Sequence, residues 1–155
     1  MSLQLNSNNL NHNSTGQSLV EIIVGLGVIS SVLGGLMSAI TFSTSNTQFA
    51  RNKTLATKYS QEAVEWLRVQ RDANWYTFNS RASSGGSVYC FNTLTWNSGS
   101  CISTETINDD YDIFRREVTL SNPTTGRVNV AIRVYWQQGA RTSDVQVNTY
   151  LTRWQ

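Results

Sequence analysis

The ionisable and nucleophilic side chains of this chain leave few routes to catalysis. His12 is the only histidine among the 155 residues and lies in a polar N-terminal stretch, so a Ser-His or Cys-His nucleophile would depend on that single residue. Asp109, Asp110 and Asp112 form the one acidic cluster, and their carboxylate oxygens are weak candidates for calcium ligands. The cluster lacks the later Gly and Glu of an EF-hand loop, so we expect a solvated loop without metal. The sequence predicts neither an enzyme nor a bound cofactor.

Two cysteines, Cys90 and Cys101, lie in a polar, loop-rich region and are candidates for a disulfide. A bridge would close a 12-residue loop and contribute about 2–3 kcal/mol by restricting the unfolded chain. Its formation would indicate an extracytoplasmic domain, since disulfides persist in oxidising compartments. Two free buried thiols are the alternative. A structural zinc site is disfavoured, because two cysteines without a nearby histidine provide too few ligands.

Charge is distributed very unevenly along the chain. Glu21 is the only Asp, Glu, Lys or Arg before Arg51, so 21 of the 22 charged side chains lie in the last 105 residues. That second part has a net charge of only +3, which disfavours a strongly basic nucleic-acid binder, and no specific nucleic-acid site is readable. The length excludes a TIM barrel or two full domains.

The apolar stretch from Leu19 to Phe42 predicts a membrane-spanning helix. It has 24 residues with one charge, and its 21 residues after Glu21 span about 30 Å at 1.5 Å per residue, the thickness of a bilayer core. A cleaved secretory signal would need a basic n-region and a shorter apolar core. An uncleaved signal anchor explains the length but neither Gly16 nor Glu21.

Glu21 needs a partner, because a carboxylate in a lipid-embedded helix is costly. Two partners are available. In one hypothesis Ser18 is the N-cap of the helix and its backbone amide is the partner, to which the Glu21 carboxylate reaches back in a capping box. In the other, cleavage after Gly16 makes Gln17 a new N-terminus, whose amine neutralises Glu21 of a neighbouring copy.

The segment Gly16-Gln17-Ser18-Leu19-Val20-Glu21, followed by the apolar run, resembles the prepilin signature of type IV pilins and pseudopilins. The resemblance is greatest to minor members of that family. It implies that a prepilin peptidase cuts after Gly16, that Gln17 is then N-methylated, and that Glu21 forms an assembly salt bridge. The implied partners are the membrane, the peptidase/methyltransferase and other pilin or pseudopilin subunits. His12 would be lost with the leader.

Three features of the sequence differ from many members of that family. The leader has no basic residue, Gln17 stands where Phe or Met is usual, and Ser38 stands where many pilins have a proline.

Beyond the apolar run, the sequence predicts that the helix continues with one apolar face. Apolar residues recur at three-, four- and seven-residue intervals: Phe49, Ala56, Tyr59, Ala63, Trp66 and Leu67. Residues 48–75 contain neither Pro nor Gly, so a continuous helix from about Gln17 to Asp72 is expected. Glu62 and Glu65 precede Arg68 and Arg71 and are interpreted as part of a solvated helix face.

The last 80 residues change to a period of two. Alternating apolar residues at 114–120, 128–136 and 145–151, separated by turn sequences at 122–126 and 137–140, predict an antiparallel meander of three or four strands. One face of such a sheet needs a cover, and the helix around Tyr59 to Leu67 is available. The expected fold class is therefore α+β: a long N-terminal helix packed on a small antiparallel sheet.

The predicted organisation has four parts: a leader over 1–16, a transmembrane or filament-core helix over 17–47, an amphipathic helix over 48–75, and a β domain with the disulfide-bearing loop over 76–155. The resemblance implies a structural subunit of a type IV pilus or of a type II secretion-like filament. It would sit in the inner (cytoplasmic) membrane with its C-terminal domain outside the cytoplasm, and then in the filament. The alternative is a single-pass, membrane-anchored extracytoplasmic binding or adhesion protein that forms no filament.

Overall fold

The structure is a computed structural model that describes residues 15–107 and 113–153, with backbone only for residues 15–18 and Pro123. His12, most of the predicted leader, and the acidic cluster of Asp109, Asp110 and Asp112 lie outside the described residues. The chain divides into two compact units, Met1–Asn46 and Thr47–Gln155.

Two helices and five strands make up the described chain. The helices are α1 (Thr15–Ala73) and α2 (Trp75–Asn79), and the strands are β1 (Ser87–Cys90), β2 (Asn97–Ser98), β3 (Phe114–Thr124), β4 (Arg127–Gln138) and β5 (Arg141–Thr152). All strand pairs are antiparallel, and the sheet order is β2-β1-β3-β4-β5.

Helix α1 is continuous over 59 residues, as the absence of proline predicts. It begins at Thr15, so Ser18 already lies within the helix and is not its N-cap. The predicted capping box with Glu21 is therefore wrong. Helix α1 ends at Ala73, and Asn74 then caps α2 by accepting a hydrogen bond from the Thr77 amide through its side chain.

The meander of β3, β4 and β5 follows the alternating pattern of the sequence. Strand β4 pairs with β5 without interruption from Arg127–Thr152 to Gln138–Arg141. The two hairpin turns have Gly126 at φ 80° and Gly139 at φ 60°, a left-handed conformation that glycine adopts without steric cost. The sequence therefore determines where each long strand reverses.

Strands β1 and β2 were not predicted. They are only four and two residues long, and neither has enough residues to show an alternating pattern. Strand β1 nevertheless pairs with β3 from Ser87–Leu120 to Cys90–Glu117. The sheet is therefore wider than the predicted three or four strands.

Within the second unit, the upper part of α1 covers one face of the sheet. The buried helix positions Ala56, Ser60, Ala63 and Leu67 recur every three or four residues and are fully inaccessible to water. Three of them are small, and Leu67 is the one large side chain among the four. The inward strand residues complete the core: Phe114, Val118, Leu120, Val128, Val130, Ile132, Val134 and Trp136. This confirms the predicted α+β fold.

Aromatic contacts extend this core along the helix. The ring centroids of Tyr59 and Phe114 are 5.5 Å apart, and those of Trp66 and Phe91 are 5.1 Å apart, both pairs edge-to-face. Such pairs stabilise by about 0.5–1.5 kcal/mol beyond the area that they bury. Trp96 lies 5.1 Å from Trp66 and joins the loop after β1 to the same cluster.

Cys90 and Cys101 form a disulfide. Cys90 is the last residue of β1 rather than a loop residue, and it is buried. Glu117 on β3 accepts hydrogen bonds from the Cys101 amide at 2.9 Å and from the Tyr135 hydroxyl at 3.2 Å. Burial and the negative charge of Glu117 raise the pKa of Tyr135, which keeps this hydroxyl a donor. The disulfide loop is thereby attached to the middle of the sheet.

We predict that Leu67→Ala lowers the free energy of unfolding of the second unit by about 2–5 kcal/mol, because a fully buried leucine leaves a cavity between helix and sheet. Denaturant unfolding of the full chain in neutral detergent micelles, followed by tryptophan fluorescence, measures the change. Val69→Ala is the matched control, since Val69 is on the same helix but 62% exposed. Equal effects of the two substitutions would contradict the assigned packing face.

Candidate assembly surface

The first unit contains a helical surface that is apolar on all sides. Every large hydrophobic side chain of α1 from Leu19 to Phe42 is 55–70% exposed. These residues are Leu19, Val20, Ile22, Ile23, Val24, Leu26, Val28, Ile29, Val32, Leu33, Leu36, Met37, Ile40 and Phe42. Exposure to water costs about 25 cal/mol per Å² of apolar surface, and a helix that is hydrophobic all round belongs in lipid or among other helices.

By length and composition, α1 could span a membrane. It is the one helix of this kind among the described residues, its 18-residue apolar window has a mean hydropathy of 2.2, and none of that window is buried within the chain. A core helix of a globular domain would be mostly buried, so the unburied window favours an external apolar partner.

The polar side chains of this helix are largely satisfied by the helix itself. Four hydroxyls donate to the carbonyl oxygen four residues earlier, at 2.8–3.1 Å: Ser31 to Gly27, Ser38 to Gly34, Thr41 to Met37 and Thr44 to Ile40. A hydroxyl bonded in this way has little left to desolvate when the helix enters an apolar environment. These hydroxyls therefore do not need partners on other helices.

Glu21 is the exception on this surface. It is exposed, and it is the only charged residue between Leu19 and Ala50. Across the described side chains, no salt bridge or hydrogen bond involves Glu21. The described helix residues near it include no cysteine or histidine that could join it in a metal site. A partner for this carboxylate would have to come from outside the described part of the chain.

The second unit attaches α1 to the sheet through a buried arginine. Arg116 on β3 is 1% exposed. Its terminal nitrogen Nη1 donates to Glu62 Oε2 and to the Tyr59 carbonyl oxygen, each at 2.8 Å, and its Nε donates to the Phe91 carbonyl oxygen at 2.9 Å. One guanidinium thus joins three parts of the fold: α1, β3 and the loop after β1.

Two opposing effects act on this guanidinium. Burial lowers the pKa of Arg116, while the hydrogen bond and charge of Glu62 act in the opposite direction. The carboxylate of Glu62 is half exposed and retains part of its hydration. It neutralises the guanidinium of Arg116, which has lost nearly all of its hydration because it is buried. The arrangement satisfies the condition under which a buried charge is tolerated, namely pairing together with further hydrogen bonds.

Glu62 does lie on an exposed helix face, as interpreted from the sequence, but it also pairs with the buried Arg116. Glu65 does pair with Arg68 at 2.6 Å on the exposed side, whereas Arg71 pairs with Asp72 at 2.7 Å. The missed signal was Arg116 itself, which occupies an inward position of the alternating pattern at 114–120. A charge at such a position requires an opposite charge from the covering helix.

One group of potential metal ligands occurs in the described residues: Cys90, Cys101 and Glu105, whose ligand atoms lie within 4.8 Å of one another. Both sulfurs are in the disulfide, so neither is a thiolate that could bind a metal. The remaining single carboxylate does not make a metal site.

Comparison of the chain with protein-family models, curated proteins and solved structures found no match. Membership of the pilin family therefore stays a prediction from the residues between Gly16 and Glu21 and from the apolar helix that follows them.

We predict that Glu62→Ala lowers the free energy of unfolding of the second unit by about 1–3 kcal/mol, because it leaves Arg116 without a countercharge. Chemical denaturation of the full chain in neutral micelles is the measurement. Glu65→Ala is the matched variant. Glu65 lies one turn from Glu62 and forms an exposed pair with Arg68, so its removal should cost only about 0–1 kcal/mol. If Glu65→Ala were the more damaging substitution, the role assigned to Arg116 would be wrong.

Proposed function

We propose that this chain is a non-enzymatic structural subunit of a type IV pilus or type II secretion-like filament. In this proposal a prepilin peptidase cuts after Gly16, Gln17 is N-methylated, and the subunit assembles through the apolar part of α1. The observation that carries the proposal is a single carboxylate, Glu21, placed five positions after Gly16 on a helix surface that is otherwise apolar and exposed.

The physical argument begins with the apolar surface. Before assembly, lipid surrounds Leu19 to Phe42. In a filament, the same side chains pack against equivalent helices of neighbouring subunits, so their surface remains out of water throughout. Transfer from one apolar environment to the other adds little hydrophobic driving force, and packing and polar contacts must then favour the filament.

Glu21 supplies such a polar contact. A carboxylate within lipid is costly, and the amine created at Gln17 of a neighbouring subunit would neutralise it. The ion pair forms only when two processed subunits come together, so it couples peptidase cleavage to assembly. This explains why a charge would be kept in an otherwise apolar helix.

The second unit supports placement outside the cytoplasm. The Cys90–Cys101 disulfide is typical of proteins that mature in an oxidising compartment. We therefore assign the apolar part of α1, Leu19 to Phe42, to the inner (cytoplasmic) membrane as a single span and Thr47–Gln155 to the extracytoplasmic side. From there the subunit would enter a pilus or periplasmic filament.

The second candidate is a membrane-anchored extracytoplasmic binding or adhesion protein that does not assemble. It is favoured by the polar outer face of the sheet, which includes the exposed ring of Tyr150. It does not account for the position of Glu21 relative to Gly16.

We predict that Glu21→Ala leaves membrane insertion intact but reduces incorporation into filaments at least about tenfold, because a desolvated ion pair loses one partner. The measurement is the amount of the protein in filaments sheared from producing cells, relative to the amount in the membrane fraction.

Ser31→Ala is the matched control in the same apolar segment. Its hydroxyl is satisfied within its own helix, so incorporation should stay at the parent level. Parent-level incorporation of Glu21→Ala would refute the assembly salt bridge.

A further inference from the structure

The outer face of the sheet, opposite α1, has two regions of different character. Its side chains alternate with the buried ones along β3, β4 and β5, and the strand register arranges them in rows. One row contains Arg115, Tyr135 and Asp144, and the row at the other end contains Ser121, Asn129 and Tyr150.

In the first region the polar side chains bind one another. Asp144 accepts hydrogen bonds from Arg133 at 3.2 Å and from Gln146 at 2.9 Å. Tyr135 donates to Glu117, and Arg115 donates to the Ser103 carbonyl oxygen. Arg133 and Asp144 form a salt bridge there, and Glu117 and Arg115 each have a hydrogen-bond partner.

The second region is a shallow depression with Ala131 at its floor. Its cavity volume is about 360 Å³. Ala131 is flanked on the neighbouring strands by Thr119 and Asn148, with which it is in register. The small alanine side chain leaves space between its larger neighbours. The polar and aromatic residues that line it are Thr119, Ser121, Arg127, Asn129, Asn148, Thr149 and Tyr150.

The polar groups of this depression are mostly uncommitted. Within the described chain, no hydrogen bond involves the side-chain hydroxyls of Thr119 and Ser121 or the side-chain amide of Asn148. Asn129 accepts from Arg127 Nε at 3.0 Å through its oxygen, which leaves its NH₂ group free to donate.

Arg127 is held in place but keeps its two terminal nitrogens available. Its guanidinium carbon lies 4.4 Å from the centroid of the Tyr150 ring, and its hydrogen bond to Asn129 uses only Nε. A guanidinium that is already oriented loses less entropy on binding, and its terminal nitrogens match the two oxygens of a carboxylate. No carboxylate lines the depression, so its net charge is positive.

We propose that this depression binds a uronic acid residue of an acidic polysaccharide. The sugar carboxylate pairs with the terminal nitrogens of Arg127. The ring hydroxyls, each both donor and acceptor, match Thr119, Ser121 and Asn148, whose side chains also provide both functions. One positive group beside a set of neutral donor-acceptor groups is complementary to a ligand with one carboxylate and several hydroxyls.

This proposal goes beyond the assembly function and does not depend on it. All residues of the depression belong to Thr47–Gln155, and none belongs to the apolar helix. Binding can therefore be measured with the unassembled chain, and failure of filament assembly would leave the result unaffected.

The test is isothermal titration calorimetry of the full chain in neutral detergent micelles with trigalacturonic acid. We expect Arg127→Gln to weaken binding about tenfold or more, since a hydrogen bond to a charged group is lost. Ala131→Leu should also weaken binding about tenfold or more, because it fills the depression while every charge is kept; position 131 is exposed, so the fold tolerates it. Circular dichroism verifies the fold of each variant.

Arg141→Gln is the matched control, because it removes the same charge from an exposed position on β5 outside the depression. It should bind like the parent chain. Maltotriose, which lacks the carboxylate, should bind at least about tenfold more weakly than trigalacturonic acid. The proposal is overturned by unchanged affinity in Ala131→Leu, by equal losses in Arg127→Gln and Arg141→Gln, or by tighter binding of inorganic phosphate or a single-stranded oligonucleotide than of the sugar.

Discussion

The buried guanidinium of Arg116 connects the elements of the second unit. Its contacts to the Tyr59 carbonyl oxygen and Glu62 hold α1, and its contact to the Phe91 carbonyl oxygen holds the loop after β1. An apolar side chain at this position would bury as well, but it would not fix the helix at one height on the sheet. Hydrogen bonds are directional, so Arg116 specifies the register in which Ala56, Ser60, Ala63 and Leu67 meet the strands.

This attachment has a consequence for the first unit. The helix that covers the sheet continues without a break toward Leu19, and there it has no described part of the same chain to cover it. One helix therefore satisfies two packing requirements: its amphipathic part completes a small core, and its apolar part needs partners outside the chain. In the proposed function those partners are lipids before assembly and other subunits in the filament.

The parts of this structure that the sequence predicts follow regular periods. The change from a period near 3.6 to a period of two separates helix from sheet, and the turn residues around Gly126 and Gly139 separate the long strands. The short strands β1 and β2 have too few residues to show a period. The sequence does not indicate that α1 already includes Thr15, because by spacing alone Ser18 and Glu21 fit a capping box at a later helix start.

The site is predictable to a smaller extent. Glu21 is identified from sequence because a single charge in an apolar run is conspicuous. The partnership of Glu62 and Arg116 joins residues 54 positions apart, so neither local spacing nor helical periodicity indicates it. The depression at Ala131 depends on the register of three strands, in which a small residue meets neutral polar neighbours, and strand register is not readable from one strand alone.

The central claim is that the chain is processed after Gly16 and used as a filament subunit. The intact mass of the protein extracted from the membrane of the cells that produce it tests this most directly. The account predicts a mature chain that begins at Gln17 and carries one added methyl group. A chain that retains Met1 and the whole leader would contradict it and favour the permanently anchored binding protein.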